Sequence, residues 1–237
     1  MRFGVLRATS RSCSRSRAKS LALALCLALS ASARADEPWV ELYRAEDVTV
    51  SERAAPPRAL PDFRGEVELA ADPYDVLAVI LDVPGQTEWM WQCRVSRLLH
   101  RESDSVTVVY QQLDVQWPAT DRDVVFRSVV RVLEPGKRLE VRFANRDDPA
   151  APPVPELVRM PRLEGAFELA ALDASHTRVT YTVSADPGGS LPTAILRQTV
   201  RESPFDTLVS LRRRVAETRG RYASVADAWR SRGPAPR

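Results

Sequence analysis

The sequence predicts an α+β domain in which a curved antiparallel sheet wraps around one long C-terminal helix. Three observations predict it. Residues 95–183 read as successive runs with apolar side chains at every second position, the mark of strands with one dry face. From Leu191 to about Arg219 the apolar period lengthens to that of a helix. Its stripe holds Leu191, Ile195, Leu196, Val200, Phe205, Leu208, Leu211 and Val215, while Arg212, Arg213, Arg214 and Arg219 are expected to face water. A stripe of that length needs an apolar partner, and the dry sheet face is the one available.

The first 35 residues stand outside this domain. Arg2, Arg7, Arg11, Arg15, Arg17 and Lys19 make a cationic start, residues 21–29 are apolar, and Ala33-Arg34-Ala35 is a small-x-small cleavage site before Asp36. This is the pattern of a secretory signal peptide. The apolar run is about half the ~20 residues that a membrane span requires. The formal net charge of +3 includes seven basic residues and no acidic one from this leader, so the remainder carries −4. A net acidic domain argues against a nucleic-acid partner. Cys13 and Cys26 leave with the leader, and Cys93 alone can form neither an internal disulfide nor a cysteine metal cluster. His100 and His176 stand at strand ends without metal-ligand spacing, so neither metal nor cofactor is expected. Lys19 and Lys137 are the only lysines, a bias that fits a GC-rich bacterial genome and, with the leader, a periplasmic or extracellular address.

The remaining elements follow in order. Residues 38–43 place Trp39, Leu42 and Tyr43 on one helical stripe. Residues 48–50 and 66–69 alternate as short strands. Asp72-Pro73 is a helix start, an N-cap acid before proline, and Val76, Leu77, Ile80 and Leu81 give that helix its apolar face as far as Pro84-Gly85. Strands are expected at 95–99, 106–115, 124–133, 139–143, 157–169 and 177–183, with a proline-rich loop at 147–155 and a sharp one at 186–190. The domain boundaries are then 36–220, with 221–237 as a partly disordered tail.

Within the strand at 122–132, Arg122 has the parity of the dry face with Val124, Phe126, Ser128, Val130 and Val132. A buried arginine is costly unless paired. It either contacts a ligand or stitches the sheet through Asp121, Asp123 or a carboxylate on a neighbouring strand. Gln111 lies on the inner face with Val109 and Leu113, as a ligand contact or as a hydrogen-bonded core side chain. Tyr181 lines the interior with Val179 and Val183. Phe126, Phe143 and Phe167 are core or cavity wall. Gly188-Gly189 lacks the residues of a phosphate loop and reads as a tight turn.

The ordered set Trp117-Pro118-x-x-Asp121-Arg122-Asp123, Gly165-x-Phe167-x-Leu169, Thr180-Tyr181 and Asp186-Pro187-Gly188-Gly189-x-Leu191-Pro192 resembles the START family, the lipid-transfer domains related to the steroidogenic acute regulatory protein. The resemblance spans Trp39 to Arg219. Val124 departs from the aromatic that usually follows Arg-Asp, and Arg197 from an asparagine common in the Leu-Pro helix. The resemblance implies a helix-grip fold with an internal tunnel for one lipid or sterol-like molecule, roofed by the C-terminal helix. It implies a monomeric carrier that meets membranes transiently and catalyses nothing. Arg122, Gln111, Phe126, Phe143, Tyr181, Leu191, Ile195 and Thr199 are then the candidate ligand contacts. A polyketide cyclase or aromatase on the same fold, and a ligand-sensing module, are the alternatives.

Overall fold

The computed structural model describes residues 1, 37–58, 60–115, 119–189 and 193–234, with the backbone alone along 193–200. Residues 38–237 form one compact unit, separate from residues 1–37. Among the described residues, ten strands make a single sheet, nine of them in the order β1-β2-β3-β10-β9-β7-β6-β5-β4 with β8 off this path. They are β1 (Val40–Ala45), β2 (Val48–Arg53), β3 (Asp62–Leu69), β4 (Cys93–Ser103), β5 (Val106–Leu113), β6 (Arg122–Glu134), β7 (Arg138–Asn145), β8 (Val158–Arg159), β9 (Arg162–Ala171) and β10 (Thr177–Asp186). Every pairing is antiparallel except that of β8, which joins the start of β6 in parallel. The helices among the described residues are α1 (Pro73–Leu81), α2 (Thr193–Glu217) and α3 (Ala223–Arg230), with a short 3₁₀ helix at Pro84–Glu88.

The inner sheet face grips α2 as the alternation predicts. Leu208 and Leu211 are fully buried against Phe63, Val67, Leu69, Val179 and Val183. The helix rides close because β3 carries Gly65 beneath it: a Cβ there would lie 2.7 Å from Leu208 Cδ1 and 3.0 Å from Pro204 Cβ. The N-cap of α1 is Asp72, whose carboxylate accepts from the Tyr74 amide at 2.8 Å.

Several expectations are corrected. Residues 40–45 form a strand, not a helix, and pair with β2 through a turn at Glu46 and Asp47, both at positive φ. Two consecutive positive φ values match the right-handed strand twist of a tight hairpin, and ladder pairing overrides the helical spacing of Trp39, Leu42 and Tyr43. The strand expected at 157–169 is broken at Met160-Pro161, since proline has no amide to give the ladder. Val125, whose parity is opposite to that of Val124 and Phe126 and so assigns it to the outer face, is fully buried with Val108, Tyr110 and Ala151 under the loop that follows β7. Arg159 donates twice to Asp123 on β6, at 2.9 Å each, and holds that loop down by donating to the Ala151 carbonyl at 3.0 Å. Arg214, expected in water, is buried and ion-paired to Glu88. Within the segment expected as a tail, residues 223–230 form α3 and bury Ala226 and Trp229.

Candidate functional site: an internal cavity

The grip is solid where α2 crosses β3 and β10 and hollow where the sheet curves through β5, β6 and β7. A cavity of about 450 Å³ lies there, walled by the inner sheet face, α1, the 3₁₀ helix and α3. A close-packed interior leaves only voids of water size, whereas small-molecule pockets run from about 300 to 1,000 Å³.

Its floor is aromatic. Phe126 meets Phe143 at 5.8 Å, Phe143 meets Phe167 and Tyr181 each at 6.3 Å, and Phe167 stacks on Tyr181 at 4.4 Å. Gly165 makes room for this arrangement: a Cβ there would fall 2.6 Å from Phe143 Cζ and 2.1 Å from the Thr182 carbonyl. Val109, Val130, Val141, Leu163, Ile80, Val83 and Met90 complete the apolar wall. Burial pushes the Tyr181 phenol well above its ordinary pKa, with Ser203 on α2 opposing the shift, so it is neutral in any physiological range.

One polar cluster interrupts the wall. Gln86, from the 3₁₀ helix, donates to the Ile80 carbonyl at 3.0 Å, and its Oε1 accepts from Ser96 at 2.9 Å and from Gln111 at 2.8 Å. Among the described residues, the buried polar side chains that line the cavity include Gln86, Gln111 and Ser128, all uncharged, while Asp82, Arg101 and Asp104 line it from less buried positions. Thr107, opposite Ser128 in the β5–β6 register, adds a second hydroxyl.

The candidate contacts therefore divide. Gln111, Phe126, Phe143 and Tyr181 line the cavity together. Arg122 is buried but does not line it. Its guanidinium donates to the carbonyls of Thr120, Pro187 (3.4 Å) and Gly188 (3.3 Å) and ties the glycine turn after β10 to the sheet. Burial lowers the Arg122 pKa from its ordinary value, with Asp121 opposing. Leu191 lies outside the described residues, as do Trp117 and Pro118, and of Ile195 and Thr199 only the backbone is described.

Sequence reasoning missed Gln86, Tyr222, Val225 and Trp229, which also line the cavity. Gln86 sits in a Pro-Gly-Gln turn that reads as a loop. The other three fall in the apparent tail, where the spacing of Tyr222, Val225 and Trp229 was the available signal.

Comparison with known proteins identifies the class. The START domain model matches residues 20–221, and the chain belongs to that family of lipid- and ligand-binding domains. It is 34% identical to the STAR-related lipid transfer protein of Xanthomonas axonopodis, whose crystal structure superposes with a TM-score of 0.69 over 75% of this chain and 98% of that one. An uncharacterized protein of Pseudomonas aeruginosa is 32% identical over 63% of this chain and 73% of its own length. At 17% identity, human StAR-related lipid transfer protein 5 shares the fold (TM-score 0.69, 84% of this chain and 94% of that one). At 16%, so does the Zhui aromatase/cyclase of Streptomyces (TM-score 0.50, 66% and 94%).

Proposed function

We propose that the chain is an exported carrier that holds one neutral hydrophobic molecule in this cavity and passes or presents it between membranes. The observation that carries the reading is the 450 Å³ hollow with an aromatic and aliphatic wall inside a START fold. Each methylene moved from water into such a wall gains about 0.8 kcal/mol, so an acyl chain or sterol gains roughly ten kcal/mol before its immobilisation is subtracted. The buried polar lining of Gln86, Gln111 and Ser128 is uncharged and suits a hydroxyl or carbonyl head in the depth of the cavity, the charged lining residues Asp82, Arg101 and Asp104 being less buried. A monomer suffices, because one domain walls the whole cavity.

A cyclase needs acid and base groups facing its substrate. His100 and His176 are both exposed and neither lines the cavity, the Tyr181 phenol is held neutral, and the lining carboxylates are engaged, Asp82 by the Tyr222 hydroxyl and Asp104 by Arg232. These observations favour binding over catalysis.

The reading is tested by transfer between vesicles. Donor vesicles of isotope-labelled bacterial polar lipid with a hydroxylated sterol, mixed with unlabelled acceptors, should exchange label faster with the chain present. An unchanged rate would contradict it. The exported chain should also begin at Asp36 by intact mass, whereas Met1-initiated protein retained in the cytoplasm would contradict export.

A further inference from the structure

The resemblance to a roofed tunnel leads one to expect an entrance beside α2; among the described residues, exposed cavity lining is found at another place. Leu98 and Val225, 36% and 37% exposed, face the same opening, together with Arg101 and Asp104. The opening runs between α3 and the β4–β5 hairpin. Nearly all of α3's side of it lies past residue 221, where the family match ends.

The way α3 is held suits a moving part. It follows a turn at Gly220, whose φ of +77° is left-handed and whose would-be Cβ meets nothing within 4 Å. It buries only Ala226 and Trp229. At its start, Tyr222 donates to Asp82 at 2.6 Å, and Arg214, clamped on Glu88, reaches the same hydroxyl at 3.4 Å. At its far end, Arg230 pairs with Asp72 at 3.1 Å. Arg232 lies 4.1 Å over the Trp229 ring and spans to Asp104 in the hairpin turn at 3.3 Å. Exposed ion pairs of the latter kind are weak, and segments with few buried contacts open first. The firm anchor is thus at the hinge and the weak clasp at the free end.

We propose that α3 is a door: cargo enters and leaves between α3 and the β4–β5 hairpin, with Trp229 as the plug and the Arg232–Asp104 pair as the clasp. The proposal rests on the carrier reading, since a door needs a guest.

The test is to lock the clasp. Asp104→Cys and Arg232→Cys are combined with Cys13→Ser and Cys26→Ser, then bridged by a reducible bis-thiosulfonate linker long enough for two arginine-length side chains. Cys93 is a silent bystander, because burial pushes its thiol up to about 12. Loading from vesicles of bacterial polar lipid and cholesterol is followed by native mass spectrometry, with circular dichroism confirming the fold. The bridged chain should load at least tenfold more slowly and recover on reduction, and Trp229→Ala should load and release several-fold faster. Equal loading by bridged and reduced chains overturns the door and leaves the carrier standing. A reduced chain that never loads overturns both. Should the double-cysteine chain not fold, an unchanged release rate in Trp229→Ala overturns the door by itself.

Discussion

The carboxamide of Gln111 on β5 donates to Oε1 of Gln86 at 2.8 Å, joining the middle of the sheet to the short helix that walls the other side of the cavity. Ser96 shares that acceptor at 2.9 Å, so two buried donors converge on one side chain, with Gln111 also reaching the Ser96 hydroxyl at 3.5 Å. Gln86→Ala leaves both without it, and a buried donor without a partner costs about 1–3 kcal/mol. Urea unfolding should show a loss of that size. Gln111→Leu should cost less stability but weaken binding of a hydroxylated sterol more than that of its dehydroxylated analogue.

Val141 points into the hollow from the centre of β7. Filling an existing void stabilises by about 0.5–2 kcal/mol where the new side chain fits. Val141→Phe should therefore raise the thermal midpoint and abolish loading together. A variant that gained stability yet loaded normally would show that the guest sits elsewhere.

Gly165 admits no side chain without displacing the Thr182 carbonyl or the Phe143 ring. Gly165→Ala should destabilise by about 1–3 kcal/mol, as overpacking does, with a further loss of loading as Phe143 is driven into the cavity. Near-ultraviolet circular dichroism of the stacked Phe167–Tyr181 pair reads the displacement directly.

Arg122 bonds three carbonyls of its own chain and does not line the cavity. Arg122→Met should lower stability by leaving those carbonyls unbonded while the affinity of a loaded lipid changes less than twofold. A lost affinity at unchanged stability would make Arg122 a ligand contact instead.

Burial alone would raise the Asp62 carboxyl, but the hydrogen bond from Arg53 at 3.0 Å and the ion pair with Arg58 at 2.8 Å, with Ser184 close by, outweigh it and hold the pKa below its ordinary value. A depressed carboxylate contributes stability that is present above its unfolded value near pH 4 and lost as the pH falls through the folded one. Asp62→Asn should therefore lower stability at pH 7 and flatten its decline below about pH 4, measured as urea midpoints along the acid range.

The fold was legible because one period governs each element. The alternation through Val124, Phe126, Ser128, Val130 and Val132 set the inner face, and Leu208, Leu211 and Val215 set the helix that it grips. What escaped depends on neighbours that only folding supplies. Trp39, Leu42 and Tyr43 have helical spacing, yet β2 recruits their segment into its ladder. Arg214 has a surface arginine's sequence context, yet Glu88 draws it inside. The hollow had the same signature as a filled core, because a valine facing a lipid and a valine facing a leucine look alike in sequence. Four of the eight candidate contacts line the cavity, and Arg122 shows that parity tells which face a side chain is on but not what it touches.

The central claim is that the space between β5, β6, β7 and α3 is filled by a guest and not by the protein. Native mass spectrometry of the chain purified from a bacterial host without detergent tests it most directly. The account predicts one adduct of lipid mass per chain, removed by organic extraction and absent from Val141→Phe. A bare polypeptide mass in the unaltered chain, persisting after incubation with bacterial lipid vesicles, would contradict it.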